Sequence, residues 1–230
     1  PVIVNNITLN NAWAGGINFP LFSEIDLNGD GIHDLFLFDR SNNRISTFIN
    51  DGTSGVNAWH YAPQYISRFP PVIGWVRLYD YNNDGKMDLL TLSNCYCGVA
   101  VWRNDYTTSG GLQFTLMTQM LNEHIDTTAG ISQVYSNVFA VPAFGDVDHD
   151  GDMDIIGYSV MGDGRVSYHK NHSMEDYGVV DSLDFTLMYA DMHWGKFQLV
   201  IGGTNAVYCF NCRHALPAVS DSSLEHYDES

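Results

Sequence analysis

Basic residues are scarce in this sequence of 230 residues, which has 10 Lys and Arg against 27 Asp and Glu. The resulting net charge of −17 argues against binding nucleic acid or an anionic membrane through a basic surface. It favours cations as partners. Because Asp dominates the acidic residues and falls into loop-like clusters, we expect local cation sites and not a uniformly solvating surface.

Long apolar runs are also missing. No run approaches the roughly 18 to 20 residues that a membrane-spanning helix needs, so we expect no membrane insertion in this segment. Charged residues make up only 16% of the chain and hydrophobic residues 45%, which is the composition of a folded protein. The sequence therefore predicts a substantial core.

The sequence contains an internal repeat, which has to be identified before any other element. The pattern D-x-[ND]-x-D-G-x-x-D occurs at 26–34, 80–88 and 146–154, with start spacings of 54 and 66 residues. Each copy continues with an apolar run, a polar turn-like segment and a second strand-like stretch. Fourteen residues after the last Asp stands an aromatic residue each time: Phe48, Trp102 and Tyr168.

Each repeat unit has the composition of β-strands. Its apolar pieces are short, rich in β-branched and aromatic residues, and separated by Gly, Asn, Asp and Ser. About four strands per unit, repeating at about 40 to 60 residues, are typical of β-propeller blades. The sequence therefore predicts an all-β fold, a β-propeller portion at 1–212 with blades at about 18–66, 72–121 and 139–192 and a partial hairpin at 196–212.

The remaining segments fit a portion of a larger propeller. Three blades cannot close a ring, because propellers have about 4 to 8, so we expect further blades from the same polypeptide or from another chain. The segment before the third loop, 122–137, is expected to be a long inter-blade insertion. Residues 213–230 are polar and acidic, and indicate a tail or a linker to a further blade.

The three acidic loops have the residues of calcium sites. Calcium takes about six to eight oxygen ligands, and side chains at loop positions 1, 3 and 5 converge on one point when Gly at position 6 permits a sharp turn. The side-chain ligands at positions 1, 3, 5 and 9 would be Asp26, Asn28, Asp30 and Asp34; Asp80, Asn82, Asp84 and Asp88; and Asp146, Asp148, Asp150 and Asp154. The position 7 backbone carbonyls would come from Ile32, Lys86 and Asp152.

Position 9 separates these loops from the EF-hand. An EF-hand needs a bidentate Glu at position 12 and flanking helices, whereas position 12 here is Leu37, Thr91 or Gly157 and the flanks are strand-like. The cage would instead close at position 9, in a loop short enough to join two antiparallel strands. The third loop has four candidate carboxylate ligands and the others three each, so charge counting predicts the tightest binding there.

The chain resembles the FG-GAP/VCBS class of repeats in its loop, in the strand that follows the loop and in the length of the unit. Such repeats are found in integrin alpha-subunit propellers and in secreted bacterial proteins, particularly of Bacteroidota. The resemblance covers about residues 18–192 and implies calcium at positions 1, 3, 5, 7 and 9 of three loops. "FG" survives only as Phe144-Gly145 and no "GAP" is present, so integrin-type ligand recognition does not carry over. The resemblance also implies a secreted or cell-surface protein, with a Bacteroidota type IX route as one means of export.

The cysteines form one C-x-C and one C-x-x-C motif, Cys95 with Cys97 and Cys209 with Cys212. A zinc site is an alternative, but the first spacing is unusual and the two pairs are more than 110 residues apart. Structural disulfides in an oxidising compartment fit better. Three connectivities are open, and we favour the two local pairs.

Other polar and aromatic residues give weaker signals. His169 and His172 are expected to be surface residues at a strand end and not a metal pair. The aromatic residues are expected to pack between blades, with a carbohydrate site as the alternative: Trp59, Tyr61, Trp75, Trp102 and Trp194.

The chain lacks G-x-S-x-G, H-E-x-x-H and phosphate-binding Gly loops, so we expect no enzyme. The expected function is that of a calcium-binding propeller serving adhesion, ligand binding or a structural role, with a protein or a glycan as ligand. The alternatives are a carbohydrate-active enzyme, such as a polysaccharide lyase or hydrolase, and a lectin on the same scaffold.

Overall fold

A computed structural model of the chain describes residues 2–9, 11–54, 58–125, 128–158, 166–188, 197–202 and 205–210. The protein is all-β, as the sequence predicted. In chain order the strands are β1 (Val2–Val4), β2 (Ile7–Leu9), β3 (Pro20–Ile25), β4 (Asp34–Asp39), β5 (Arg44–Asn50), β6 (Trp59–Tyr61), β7 (Val76–Tyr79), β8 (Asp88–Leu92), β9 (Val99–Asn104), β10 (Phe114–Thr118), β11 (Asn122–Ile125), β12 (Thr128–Gln133), β13 (Ala143–Gly145), β14 (Asp154–Tyr158), β15 (Val166–Asn171), β16 (Phe185–Leu187), β17 (Phe197–Gly202) and β18 (Asn205–Phe210). Two short helical segments are a 3₁₀ helix at Pro63–Arg68 and a π-helical turn at Ser173–Tyr177.

The first two repeat units form four-stranded antiparallel sheets with the strand orders β3-β4-β5-β6 and β7-β8-β9-β10. In each sheet the acidic loop joins the first strand to the second, and its ninth position is the first residue of that second strand, Asp34 in β4 and Asp88 in β8. The recurring aromatic lies on the third strand, where Phe48 is opposite Leu35 and Trp102 is opposite Leu89. The repeated loop therefore occupies the same place in both blades.

The third unit forms the same meander, β13-β14-β15-β16, but its sheet has six strands. The segment predicted to be an inter-blade insertion folds into the antiparallel hairpin β11–β12, and β11 pairs in parallel with β16. The segment lies between the second and third meanders in the chain, and its strands join the third sheet. The segment extends the outer edge of the blade, because the short strand β16 leaves one side free for pairing.

The core lies between blades and not within one. One cluster joins Ile25 and Phe36 of the first blade to Val76 and Leu89 of the second. Another joins the second blade to the third through Trp75, Leu90, Leu92, Ile155 and Phe185. Successive side chains of a strand point to opposite faces, so Leu89 and Leu90 of β8 serve different clusters. All five residues of β8 are buried for this reason.

Two hairpins lie beyond these sheets. Strands β1 and β2 pair with each other, and so do β17 and β18, which lie within the hairpin predicted at 196–212. The predicted tail at 213–230, together with Trp194 and Cys212, lies outside the described residues. In the part of the chain that the structure describes, no helix has the length and apolar character needed to cross a membrane.

Candidate metal loops

The three acidic loops share one backbone conformation. Positions 4 and 6 both lie in the left-handed region, where φ is positive and glycine is favoured. The values are Gly29 78° and Gly31 82°, Asn83 55° and Gly85 82°, and His149 68° and Gly151 102°. The alternation bends the chain sharply, and the side chains at positions 1, 3 and 5 lie around the same turn.

Position 1 carboxylates close this turn by accepting backbone N–H groups. In the second loop, Asp80 Oδ1 accepts from the Asp84 amide at 3.1 Å and Oδ2 accepts from the Gly85 amide at 2.8 Å. The same two bonds recur in the first and third loops at 3.2 and 2.9 Å, and at 3.1 and 3.2 Å. The position 5 carboxylate likewise accepts from the position 7 amide in each loop, at 2.8, 2.9 and 3.0 Å.

Position 9 has a different role from that of the other loop carboxylates. Its side chain is fully buried in all three copies, with 0% exposure for Asp34, Asp88 and Asp154. One oxygen accepts the amide of loop position 2, at 2.9, 3.2 and 3.0 Å. The other accepts the amide of the Asn that ends the third strand, at 2.8, 2.7 and 2.9 Å. The carboxylate thus fastens the loop to the third strand of its own blade.

That third-strand Asn belongs to the same motif. Asn50 and Asn104 donate their side-chain amides to the carbonyl of loop position 8, at 3.2 and 3.1 Å. Their side-chain oxygens accept the amide two residues further on, which turns the chain away from the strand. In the sequence an Asn follows the recurring aromatic by two or three residues in all three units, as Asn50, Asn104 and Asn171.

Carboxylates converge on a common point in the third loop. Oxygens of Asp146, Asp148 and Asp154 lie within 4.8 Å of one another. The first two loops are completely described and contain no such group of carboxylates. Their position 3 is occupied by Asn28 or Asn82, so a neutral oxygen stands where the third loop has a carboxylate.

Sequence reasoning missed two residues that meet the third loop from outside it. Glu175, on the π-helical turn, lies within 4.8 Å of Asp148 and Asp150. Lys170, on β15, donates from its ammonium to Asp148 and to Glu175. No repeat pattern could reveal Glu175, because the described residues of the other two units form no corresponding turn.

Position 7 of the third loop also differs from the expectation. Only the backbone carbonyl of Asp152 was predicted to serve there, yet its side chain is 2% exposed and accepts the Met174 amide at 3.0 Å. Its second oxygen, Oδ1, has no hydrogen-bond partner among the described residues. Burial raises the pKa of this carboxyl to about 6. A buried carboxylate oxygen without a donor is stabilised by a nearby cation.

Burial opposes ionisation at position 9 as well. It raises the pKa of Asp88 to about 7, although backbone hydrogen bonds from Asn104 and Tyr81 act in the opposite direction. The pKa values of Asp34 and Asp154 are raised for the same reason. A bound cation would favour the charged form of all three groups, so the donor set fits a divalent metal.

His169 is not the surface residue that the sequence predicted. It is 3% exposed, and its Nδ1 meets the Glu123 carboxylate while Nε2 contacts Ser167 Oγ at 2.8 Å. Although Ser, His and Glu form a chain of hydrogen bonds, Ser167 is only 6% exposed. The arrangement is therefore a buried polar network within the third sheet. Its residues bind hairpin β11–β12 to strand β15.

The cysteine and aromatic predictions can be compared with the structure only in part. Cys95 and Cys97 form a disulfide, while Cys212 and the side chain of Cys209 lie outside the described residues. Trp75 is fully buried between the second and third blades, and Trp102 packs against the cluster between the first and second. These two aromatic residues belong to the core, as expected.

Four-stranded blades stacked face to face, each with an acidic loop between its first and second strands, define a repeat module of the propeller type. The chain belongs to the FG-GAP-like repeat family, whose model matches residues 26–91 and 80–157. No curated protein and no solved structure matches the chain.

Proposed function

We propose that the chain is the calcium-binding portion of a β-propeller and that its metal ions are structural. The observation that supports this most strongly is the convergence of Asp146, Asp148 and Asp154 oxygens within 4.8 Å. It occurs on a loop whose backbone and hydrogen bonds recur in all three blades. All the candidate ligands are oxygens, which suits a hard cation such as calcium.

In each loop the ion would be held by the carboxylate or amide oxygens of positions 1, 3, 5 and 9 and by the carbonyl of position 7. When bound, it supplies positive charge to carboxylates whose burial otherwise costs free energy. The protein already holds these groups in place, because positions 1 and 5 are fixed by loop amides and position 9 by the third strand. The ion would therefore strengthen the link between the first three strands of a blade.

We further propose that the module acts outside the cell as a non-catalytic adhesion or ligand-binding unit, with a protein or a glycan as partner. The disulfide between Cys95 and Cys97 is consistent with an oxidising compartment. Extracellular calcium sites work at dissociation constants of about 10⁻⁴ to 10⁻³ M, so ligand sets with one carboxylate fewer, such as those of the first two loops, would suffice there.

Thermal unfolding in excess EDTA and in millimolar calcium tests the proposal. A ligand that binds only the folded state at about ten times its dissociation constant stabilises that state by about 1.4 kcal/mol per site, so calcium should raise the melting temperature clearly. Magnesium at the same concentration is the matched control, because its demand for octahedral geometry and its reluctance to dehydrate suit these loops poorly. Equal melting temperatures with calcium and with EDTA would exclude a structural metal.

A further inference from the structure

The third loop differs from the other two by an ammonium group from a neighbouring strand. Lys170 donates to Asp148 and contacts Glu175 Oε1 at 2.5 Å, and it lies 3.8 Å from Asp150 Oδ2. Its side chain is only 19% exposed. One tethered cation therefore engages two of the four side chains that would bind calcium, together with Glu175.

Neither of the other blades has this arrangement. The residue before the strand-ending Asn is Ile49 in the first blade and Arg103 in the second. Arg103 pairs with Asp105, which lies outside the loop, at 2.7 Å. The second loop has a lysine of its own, Lys86, but that side chain touches a single carboxylate, Asp84, at 3.3 Å on the exposed side of the loop.

The charges around Lys170 explain why an internal cation is useful. Oxygens of Asp148, Asp150 and Glu175 lie within 4.8 Å of one another, and carboxylates at that separation repel. Lys170 is placed to offset this repulsion, because its ammonium contacts both Asp148 and Glu175.

We propose that Lys170 is the residue that sets the affinity of the third loop: its ammonium takes part of the place of a metal ion and competes with calcium for Asp148 and Asp150. The inference rests on the proposed calcium binding and adds its regulation. The third loop keeps its shape without metal and binds calcium more weakly than its carboxylates alone would allow. Charge counting along the sequence predicts the tightest binding in the third loop, but it omits a cation that reaches the loop from β15.

Calorimetric titration of calcium into wild type, Lys170→Met and Arg103→Met tests the proposal. Removing one positive charge within about 4 Å of the ligands should tighten one site by about tenfold or more. Arg103→Met is the matched control: it removes a charge from the same strand position, but that charge is paired with Asp105, so it should change calcium binding much less than Lys170→Met does. Lys170→Arg keeps the charge and should bind like wild type. The tightened site is assigned to the third loop if it is lost in Lys170→Met combined with Asp146→Asn.

Melting in EDTA provides the second measurement. Without metal, Lys170→Met should have a lower melting temperature than Arg103→Met. In calcium, the two melting temperatures should be similar. Unchanged or weakened calcium binding in Lys170→Met, with three functional wild-type sites, would overturn the role of Lys170 and leave the proposed function intact. A wild type that binds no calcium would overturn both. If the Met variant does not fold, Lys170→Gln replaces it in both measurements.

Discussion

At the scale of single residues, the Asp at the ninth loop position has two roles, of which the sequence indicated only one. The repeated Asp looked like the ligand that closes a calcium cage, but both of its oxygens also accept backbone amides in every blade. A carboxylate oxygen has two lone pairs, so an oxygen that accepts one amide can still face a cation. In the third blade this leaves Oδ1 of Asp154, because Oδ2 also accepts the Tyr168 hydroxyl at 3.2 Å. The recurrence of Asp, and not Asn, at this position follows from the need for two acceptors.

Replacing the ninth residue should therefore be harmful even without metal. In Asp34→Asn the side-chain amide would face one of the two backbone donors, and a buried group left without a partner costs about 1 to 3 kcal/mol of unfolding free energy. Asp30→Asn is the control, because Asp30 is exposed and Asn can still accept from the Ile32 amide. Urea unfolding in EDTA should show a loss for Asp34→Asn only, whereas both variants should reduce the effect of calcium. Equal losses in EDTA would contradict the structural task of Asp34.

The raised pKa of Asp88 predicts that the unfolding free energy depends on pH. Calcium should remove this dependence. Because burial raises its pKa from 3.8 to about 7, the folded state binds more protons than the unfolded state between these values. Unfolding free energy in metal-free protein should then fall as pH rises from about 4 to 7 and level off above. Asp152, with its pKa raised to about 6, acts in the same direction.

Melting temperatures of metal-free protein from pH 4.5 to 8.5 measure this effect. Calcium binds the ionised carboxylates, so the fall should disappear or reverse when it is present. Asp88→Asn removes the largest contribution and should flatten the metal-free profile. Stability that rises with pH in the absence of metal would contradict the prediction.

At the scale of elements, the parts of the fold that recur were predictable and the parts that occur once were not. Three copies of one loop revealed the strands on either side of it and their order within a blade. Hairpin β11–β12 has no counterpart in the described residues of the first two units, and its place depends on Glu123 and His169, which are 46 residues apart. The i, i+2 spacing of Ser167 and His169 puts both on one face of β15, but nothing local in the sequence indicates their acidic partner.

The buried Glu123–His169 pair should be the main polar contact that holds hairpin β11–β12 on the third sheet. Leaving a buried polar group without its hydrogen-bond partner costs about 1 to 3 kcal/mol, so Glu123→Ala, which leaves His169 Nδ1 unpartnered, should destabilise the protein. It should also raise amide exchange in β11 before exchange rises in β8. Glu24→Ala is the matched control, since Glu24 also meets a histidine, His33, at 3.0 Å, but both side chains are more than half exposed. Little difference between the two variants would mean that β11 is held by strand pairing alone.

At the scale of the whole molecule, packing between blades stabilises the fold, and repulsion between its many negative charges opposes this. The second blade is buried on both faces, so the blades fold as one cooperative stack and not as independent units. The acidic loops lie at equivalent places in neighbouring blades, and Asn83 of the second loop donates to the Gly151 carbonyl of the third at 3.0 Å. Stacking therefore brings loops of like charge into contact, and the repulsion between them destabilises the entire stack.

This arrangement predicts an unusual response to salt. With a net charge of −17, metal-free protein should be stabilised when sodium chloride is raised from about 20 to 500 mM, because screening reduces repulsion between loops within a Debye length of about 10 Å at 0.1 M. Calcium neutralises the loops directly, so the same change in salt should have much less effect in its presence. Melting temperatures at both salt concentrations, with EDTA and with calcium, give the two slopes. Choline chloride is the control for sodium binding and should reproduce the slope measured with sodium chloride in EDTA. Equal slopes with and without calcium would mean that the repulsion lies outside the loops.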